Sequence, residues 1–131
     1  MESDSLIYLA SPYSDPSAAV RHDRFVSTAR VTLALSHRGV FVFSPILHTV
    51  PMVQVADAGH LWSDWAEVDR CWLERCDEMW ILGLRGWSSS VGVGAEIDIM
   101  RELGKPVRLL DPQSYELCAM WSPKQREAIL Q

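Results

Sequence analysis

Short apolar runs alternate with longer amphipathic stretches along most of this chain, and the alternation predicts strands and helices in turn. Four runs rich in Val, Ile, Leu and Phe are bounded by turn residues, as strands are: residues 6–11, 40–44, 78–84 and 106–110. Helical periodicity occupies the stretches between them: a helix from Asp15 or Ser17 to His37, then helices over 61–76 and 91–103. Gly39 and Gly104 follow two of these helices and are typical stop signals.

The remaining segments carry weaker patterns. Residues 46–60 contain Pro51, Gly59, His48 and His60 and are expected to form a loop, while the tail after residue 110 has only weak helical signals. Strands that alternate with helices predict an α/β fold, a three-layer, Rossmann-like (flavodoxin-like) parallel sheet with helices on both faces. We expect a single domain over 1–131, with its core in 6–110 and a C-terminal tail in 111–131.

In such sheets ligands bind outside the carboxyl ends of the strands, near the point where the strand order reverses. Four segments of this chain follow predicted strands and are therefore candidate binding loops: residues 10–13, 44–46, 84–90 and 110–111. Ser11, Tyr13, Ile46 and His48 belong to the first two regions and are candidate substrate contacts.

Composition restricts the class of partner. The 131 residues are 48% hydrophobic and 22% charged, which is typical of one globular domain, and the net charge is −5. A protein that coats nucleic acid or lies on a membrane usually carries a basic face, so we expect neither partner. A small anionic ligand stays possible, because a few backbone amides can hold one phosphate group.

Cysteine usage and the N-terminus favour a cytoplasmic protein without a cofactor. Cys71, Cys76 and Cys118 are odd in number and form no C-x-x-C pair, which suits a reducing compartment and offers no zinc framework. The opening residues lack a charged-then-apolar leader, and no apolar run approaches the roughly 20 residues that a membrane span needs. His48 and His60 have no ligand-spaced partner, so no metal is expected.

One carboxylate lies on the wrong face of the third predicted helix. Helical positions advance by roughly 100° each, so residues three, four and seven apart share a face. Asp69 is at the centre of an apolar stripe, and its charged neighbours fall on the opposite side. The stripe consists of Trp62, Trp65, Trp72, Leu73 and Cys76.

Glu96 is the corresponding anomaly on the last predicted helix. It falls within the apolar face formed by Gly92, Val93, Ile99, Met100 and Leu103. Burying an ionised carboxylate without partners costs several kcal/mol, so each acid needs a bonding network, a neutral form or a function. A structural role for either one is the alternative, but two such acids in one small domain favour a shared polar cleft.

The segment before Glu96 offers groups that hold anions. Ser88, Ser89 and Ser90 precede a helix start, and Gly92 and Gly94 are poor helix formers that let a ligand approach the backbone. Ser90 is also a good N-cap residue, which is its structural alternative. Trp65, one turn before Asp69, is either a stacking surface for a base or part of the core.

The motifs around Asp69 and Glu96 resemble those of a known protein superfamily. Asp69 with Cys76-Asp77, followed by the S-x-G-x-x-x-E segment from Ser90 to Glu96, resembles the nucleoside 2-deoxyribosyltransferase-like superfamily and is similar in particular to the 2′-deoxynucleoside 5′-phosphate N-hydrolases. Tyr8-Leu-Ala-Ser-Pro-Tyr13 and Phe43-Ser-Pro-Ile-Leu-His48 further resemble a bacterial and phage branch of that superfamily without an assigned function.

The resemblance implies an N-glycosidase that acts on a nucleotide or nucleoside. Glu96, whose ionised form the nearby helix N-terminus is expected to favour, would attack or stabilise the anomeric carbon. Asp69, its pKa raised by desolvation, would bond or protonate the leaving base. Tyr8 would position Glu96, and Ser90 with the amides near Gly92 would hold a 5′-phosphate. Those hydrolases carry Gly-Ser and an Arg after strand 1 where this chain has Ser11-Pro12-Tyr13-Ser14, so Arg21 or Arg24 is expected to substitute.

Two alternatives to the hydrolase remain open. One is a nucleoside 2-deoxyribosyltransferase, and the other is a nucleotide-binding sensor domain without turnover. Trp87 and Trp121 are expected to be exposed, which suggests subunit contacts and a homodimer or higher homo-oligomer.

Overall fold

The computed structural model of the chain describes residues 4–56 and 62–121. It contains one sheet in the order β2-β1-β3-β4-β5, in which β5 runs antiparallel to β4 and the other pairs are parallel. The strands are β1 (Leu6–Ala10), β2 (Phe41–Phe43), β3 (Glu78–Leu82), β4 (Val107–Leu110) and β5 (Leu117–Trp121); the helices are α1 (Ala18–His37), α2 (Pro45–Ala56), α3 (Trp62–Arg75) and α4 (Val91–Glu102).

Helices cover both faces of the sheet, which confirms the predicted fold class. Successive side chains of a strand point to opposite faces. Tyr8 and Ala10 therefore belong to the apolar cluster packed against α3 and α4, whereas Ile7 and Leu9 belong to the cluster packed against α1. The strand order reverses between β1 and β3, so the crevice expected for a ligand lies at their carboxyl ends.

The loop predicted over residues 46–60 is wrong for its first part, which forms α2. Ser44 caps this helix, because its hydroxyl accepts a bond from the Leu47 amide at 3.2 Å, and Pro45 occupies the first helical position, where proline needs no donor. Pro51 lies inside the helix and removes one backbone bond without ending it. Gly59 and His60 are outside the described residues.

The weak helical signal expected in the tail is wrong for residues 117–121, which form β5, and the part of the tail after residue 121 lies outside the described residues. The turn that returns the chain is built by Asp111, whose carboxylate accepts the amides of Gln113 at 3.0 Å and Ser114 at 2.6 Å. Tyr115 adopts a φ of 61°, and the Asp111 amide then donates to Glu116 at 3.0 Å. An aspartate that bonds its own downstream backbone is an ordinary turn signal.

Side chains also close the amino end of the sheet. The ammonium group of Lys105, which precedes β4, donates to the carbonyl oxygens of Leu73, Glu74 and Cys76 at 3.1, 2.6 and 2.7 Å. These carbonyls belong to the C-terminal end of α3, where a helix lacks internal donors and favours a cation. Asp77 accepts the Leu6 amide at 2.7 Å on the same side.

Within the described part of the chain, no helix combines the length and apolar character that crossing a bilayer requires.

Candidate active site

A cavity of about 510 Å³ opens at the carboxyl end of the sheet, beside the β1–β3 reversal. Its walls come from the loop after β1, from α2, from α3, and from the start of α4 with the turn before it. The residues that line it are Ser11, Tyr13, Ser14, Pro45, Ile46, Thr49, Val50, Val53, Trp65, Asp69, Ser89, Ser90, Val91, Gly92 and Glu96. The volume is in the range of small-molecule binding sites.

Glu96 reaches this cavity from the second turn of α4. Its side chain is 4% exposed, and it accepts a hydrogen bond from the hydroxyl of Tyr8, which is fully buried in β1. Burial first, and then the negative charge of Glu96, raises the pKa of Tyr8 well above its usual range, so the phenol keeps its proton and remains a donor. Tyr8 thus holds one carboxylate oxygen of Glu96 in place.

Asp69 reaches the same cavity from the middle of α3. It is 7% exposed, and burial raises the pKa of its carboxyl group to about 6. The expected direction of this shift is confirmed. Within residues 4–56 and 62–121 no Lys, Arg or His nitrogen lies within 4 Å of Asp69 or Glu96. The structure therefore brings together two buried acids that have no cation partner in the described part of the chain, whereas structural carboxylates normally have one.

The expectation that a helix N-terminus keeps Glu96 ionised is wrong. Burial raises the pKa of Glu96 to about 8; the Tyr8 hydrogen bond opposes this rise and the charge of Asp69 adds to it. The helix dipole acts within the first turn, and Glu96 lies beyond it. With pKa values of about 6 and about 8, the pair shares one proton at neutral pH. One acid and one carboxylate are thus present together.

The start of α4 forms the polar wall opposite the loop after β1. Ser90 caps the helix, since its hydroxyl accepts the Val93 amide at 3.2 Å, so its structural role is real. Ser90 also lines the cavity, as does Gly92, whose missing side chain would meet no atom within 4 Å. The neighbouring serine that lines the cavity is Ser89; Ser88 is exposed and does not, contrary to its selection from the sequence.

The two arginines suggested as phosphate ligands bind backbone carbonyls instead. Arg21 donates to the Asp15 carbonyl, and Arg24 donates to the carbonyls of Tyr13 at 3.4 Å, Ser14 at 3.0 Å and Arg85 at 3.1 Å. Neither side chain lines the cavity. Direct phosphate binding by Arg21 or Arg24 is therefore not supported.

Helix α2 forms an apolar wall that sequence reasoning largely missed. The sequence indicates Pro45 and Ile46 as part of a candidate binding loop, but it gives no sign of Thr49, Val50 and Val53, because the predicted loop over 46–60 leaves their direction undefined. The pair Ser44-Pro45 was the available signal, as it marks a helix start. Trp65 of α3 lines the cavity beside this wall, in agreement with its proposed contact with a ligand.

His48 faces away from the cavity, so its selection as a substrate contact is wrong. Its ring lies 5.6 Å from the ring of Phe43 and 6.5 Å from that of Trp72, and these last two rings stack at 3.9 Å. His48 is two residues from both Ile46 and Val50, a rotation of roughly 200° about the helix axis, so it lies on a different side of α2. Trp87, expected to be exposed, packs partly buried against the α3–α4 core cluster. The side chain of Trp121 is outside the described residues.

In the described ranges, His, Cys, Asp and Glu side chains form no group of three or more that could hold a metal ion. The chemistry available to the cavity is that of two carboxyl groups, several hydroxyls and helix amides. This set can donate and accept protons and can supply a carboxylate nucleophile.

A protein-family match covers most of the chain. A search of curated proteins found no match. The model of a protein family described as a domain of unknown function, DUF1937, matches residues 5–112, a range that contains β1 to β4 and every residue that lines the cavity. The chain belongs to the DUF1937 family.

Proposed function

We propose that this protein is an N-glycosidase that hydrolyses the bond between base and sugar in a (deoxy)nucleoside 5′-monophosphate, with Glu96 as nucleophile and Asp69 as the acid that contacts the base. The observation that carries the proposal is the pair of buried carboxyl groups in one cavity, with Tyr8 aligning one of them and no cation within 4 Å of either among the described residues. Paired carboxyl groups with separate roles are the machinery of glycoside cleavage.

The number of protons that the two acids hold at neutral pH supports the proposal. Cleavage requires a carboxylate beside the anomeric carbon, where positive charge develops, and a proton for the departing nitrogen. Between the pKa values of about 6 and about 8 the pair holds one proton, which is the number that the reaction needs. At neutral pH these pKa values place that proton mainly on Glu96. The reactive form is the less populated one, in which the proton is on Asp69 and the negative charge is on Glu96, where the Tyr8 hydroxyl stabilises it.

The proposed reaction has two steps. A carboxylate oxygen of Glu96 bonds to the anomeric carbon while the carbon–nitrogen bond breaks, and the base takes that electron pair together with the proton of Asp69. Water then attacks the glycosyl ester, gives its proton to the Asp69 carboxylate, and releases Glu96. The starting protonation state is restored, and no redox partner is needed.

The walls of the cavity suggest how the substrate would lie. The aliphatic side chains of α2 and the indole of Trp65 form an apolar surface suited to a flat base. The amides of the first turn of α4 and the hydroxyls of Ser89 and Ser90 suit the 5′-phosphate. Between them lie Glu96 and Asp69, where the sugar carbon would be placed.

A second candidate function is transfer of the deoxyribosyl group to another base. It is favoured by one observation: among the described residues, those that line the cavity include no Lys or Arg, so an uncharged 5′-hydroxyl also suits it. The glycosyl ester on Glu96 is common to both reactions, and only the acceptor in the second step differs.

The test is a panel of nucleosides and nucleoside 5′-monophosphates, assayed by chromatography for free base with and without an added acceptor base. Release of base from the monophosphates without acceptor supports the hydrolase. Formation of a new nucleoside only with acceptor supports the transferase. Binding measured by calorimetry with no base released over a long incubation would contradict both and indicate a nucleotide sensor.

A further inference from the structure

Arg24 joins the two loops that face each other across the polar end of the cavity. One terminal nitrogen of its half-buried guanidinium donates to the Tyr13 and Ser14 carbonyls in the loop after β1. The other donates to the Arg85 carbonyl in the loop after β3, 61 residues away along the chain. A planar guanidinium can serve two directions at once, which an ammonium group cannot do with the same geometry.

The residue after Arg85 is adapted to this contact. Gly86 adopts a φ of 89°, and a Cβ atom there would lie 2.7 Å from the same terminal nitrogen of Arg24. A side chain at this position would displace the guanidinium and break its bond to the Arg85 carbonyl. The other left-handed glycines, Gly39 and Gly104, would meet nothing within 4 Å, so the close approach is particular to Gly86.

The two joined loops lead directly to cavity walls. Tyr13 and Ser14 line one wall themselves, and the loop from Arg85 continues through a short 3₁₀ turn, Trp87–Ser89, to Ser89 and Ser90 on the other. In the described part of the chain no carboxylate oxygen lies within 4 Å of Arg24. Among the described residues its positive charge is thus bonded to neutral carbonyls alone, those of the two loops.

From this geometry we propose that Arg24 is a positioning residue for the phosphate end of the ligand. It holds the loop after β1 and the loop before α4 at a set separation, and it places an uncompensated positive charge behind them. The inference rests on the proposed function for the identity of the ligand, since it assigns the 5′-phosphate to this end of the cavity. The Arg24 side chain itself touches no substrate atom and acts through Tyr13, Ser14 and Arg85.

The experiment measures Kd by calorimetry for a matched pair of ligands, deoxyadenosine and its 5′-monophosphate, without any need for turnover. Arg24→Ala should raise the Kd of the monophosphate at least about tenfold and the Kd of the nucleoside less than threefold. Arg24→Lys should lie between Arg24→Ala and the native protein, because it keeps the charge without the bridge. Arg30→Ala, an exposed change on the same helix, should leave both Kd values unchanged.

Gly86→Ala provides a second route to the same contact while Arg24 stays in place. Its methyl group would displace the guanidinium, so the Kd of the monophosphate should again rise while that of the nucleoside changes little. Gly39→Ala is the matched control, because it imposes a similar left-handed backbone strain with no neighbouring atom. Hydrogen exchange of ligand-free Arg24→Ala and Gly86→Ala should accelerate in both loops together.

Two results would overturn the inference: a change below threefold for the monophosphate in both Arg24→Ala and Gly86→Ala, or an equal loss for both ligands. Native protein that binds neither ligand overturns it as well. Failure of the proposed function gives a different result. In that case the native protein binds the monophosphate and Arg24→Ala weakens this binding, but the native protein releases no base.

Discussion

The two ends of the sheet use their charged side chains in opposite ways. At the amino end, Lys105 satisfies three carbonyls of α3 and Asp77 accepts the Leu6 amide, so each charge has partners that the backbone supplies. At the carboxyl end, Asp69 and Glu96 are buried in a cavity, and among described residues neither has a cation within 4 Å.

The contrast separates a structural charge from a functional one. A charge that completes the bonding of a helix end lowers the energy of the folded state, and nothing remains for a ligand to bind. Two acids held in one cavity raise each other's cost of ionisation, and a folded protein tolerates this only where the surrounding packing maintains it. Substitutions at the carboxyl end should therefore change mainly kcat, and substitutions at the amino end should change mainly the free energy of unfolding.

The largest effect is expected for Glu96→Gln, which should lower kcat at least about a thousandfold because the nucleophile is lost. The protein should stay folded, since the amide oxygen can still accept from Tyr8. Asp98→Asn, an exposed change on the same helix, is the matched control and should be neutral. Normal cleavage by Glu96→Gln would refute the mechanism.

The same variant has a stability signature with a defined sign. Because burial raises the pKa of Glu96 to about 8, the folded protein binds that proton more tightly than the unfolded chain does. Its contribution to stability is present below about pH 4.5 and is lost as pH rises through about 8. Glu96→Gln should remove this loss, so its urea midpoint should exceed that of native protein at pH 9.

Asp69→Asn should lower kcat on a natural nucleotide by about a hundredfold, the usual contribution of a general acid. On a nitrophenyl sugar 5′-phosphate, whose leaving group needs no proton, the loss should be under about fivefold. Loss of the Asp69 charge should also lower the pKa of Glu96. Glu67→Gln, exposed on the same helix, is the control. Equal losses on both substrates would contradict an acid role for Asp69.

Lys105→Met tests the amino end. Three carbonyls lose their donor, and the free energy of unfolding should fall by about 1–3 kcal/mol while kcat changes less than twofold. Arg70→Met breaks an exposed ion pair with Glu102 at 3.4 Å and should cost under about 0.5 kcal/mol. Chemical denaturation of both variants gives the comparison, and a large drop in activity of Lys105→Met would erase the distinction between the two ends.

The pH dependence of kcat/KM should be bell-shaped, with limbs near pH 6 and pH 8. Below the first value both acids are protonated and the nucleophile disappears. Above the second both are ionised and the proton donor disappears, so the rate should fall about tenfold per pH unit on each side. In Asp69→Asn the alkaline limb should vanish, because no acid remains to be lost; its persistence would assign that limb to another group.

Local periodicity alone determined β1 to β4, the helices α1, α3 and α4, and the inward direction of Asp69 and Glu96. A 3.6-residue period identifies which side chains of a helix face the core without any knowledge of its neighbours. For the same reason Val93 and Met100, which share the inward face of Glu96, are buried. Short signals that conflict with one another were less informative. Ser44-Pro45 indicates a helix start and Pro51 indicates a helix break, and the second signal led to the prediction of a loop where α2 forms.

Only the tertiary structure decided what these inward side chains meet. Tyr8 and Glu96 are 88 residues apart, and the guanidinium of Arg24 bridges two loops that no local pattern connects. The rise in the pKa of Glu96 likewise depends on the depth of burial and on the charge of Asp69, which the packing of α3 beside α4 sets. Sequence spacing specifies directions within one element, whereas distances and desolvation between elements arise when the sheet brings their ends together.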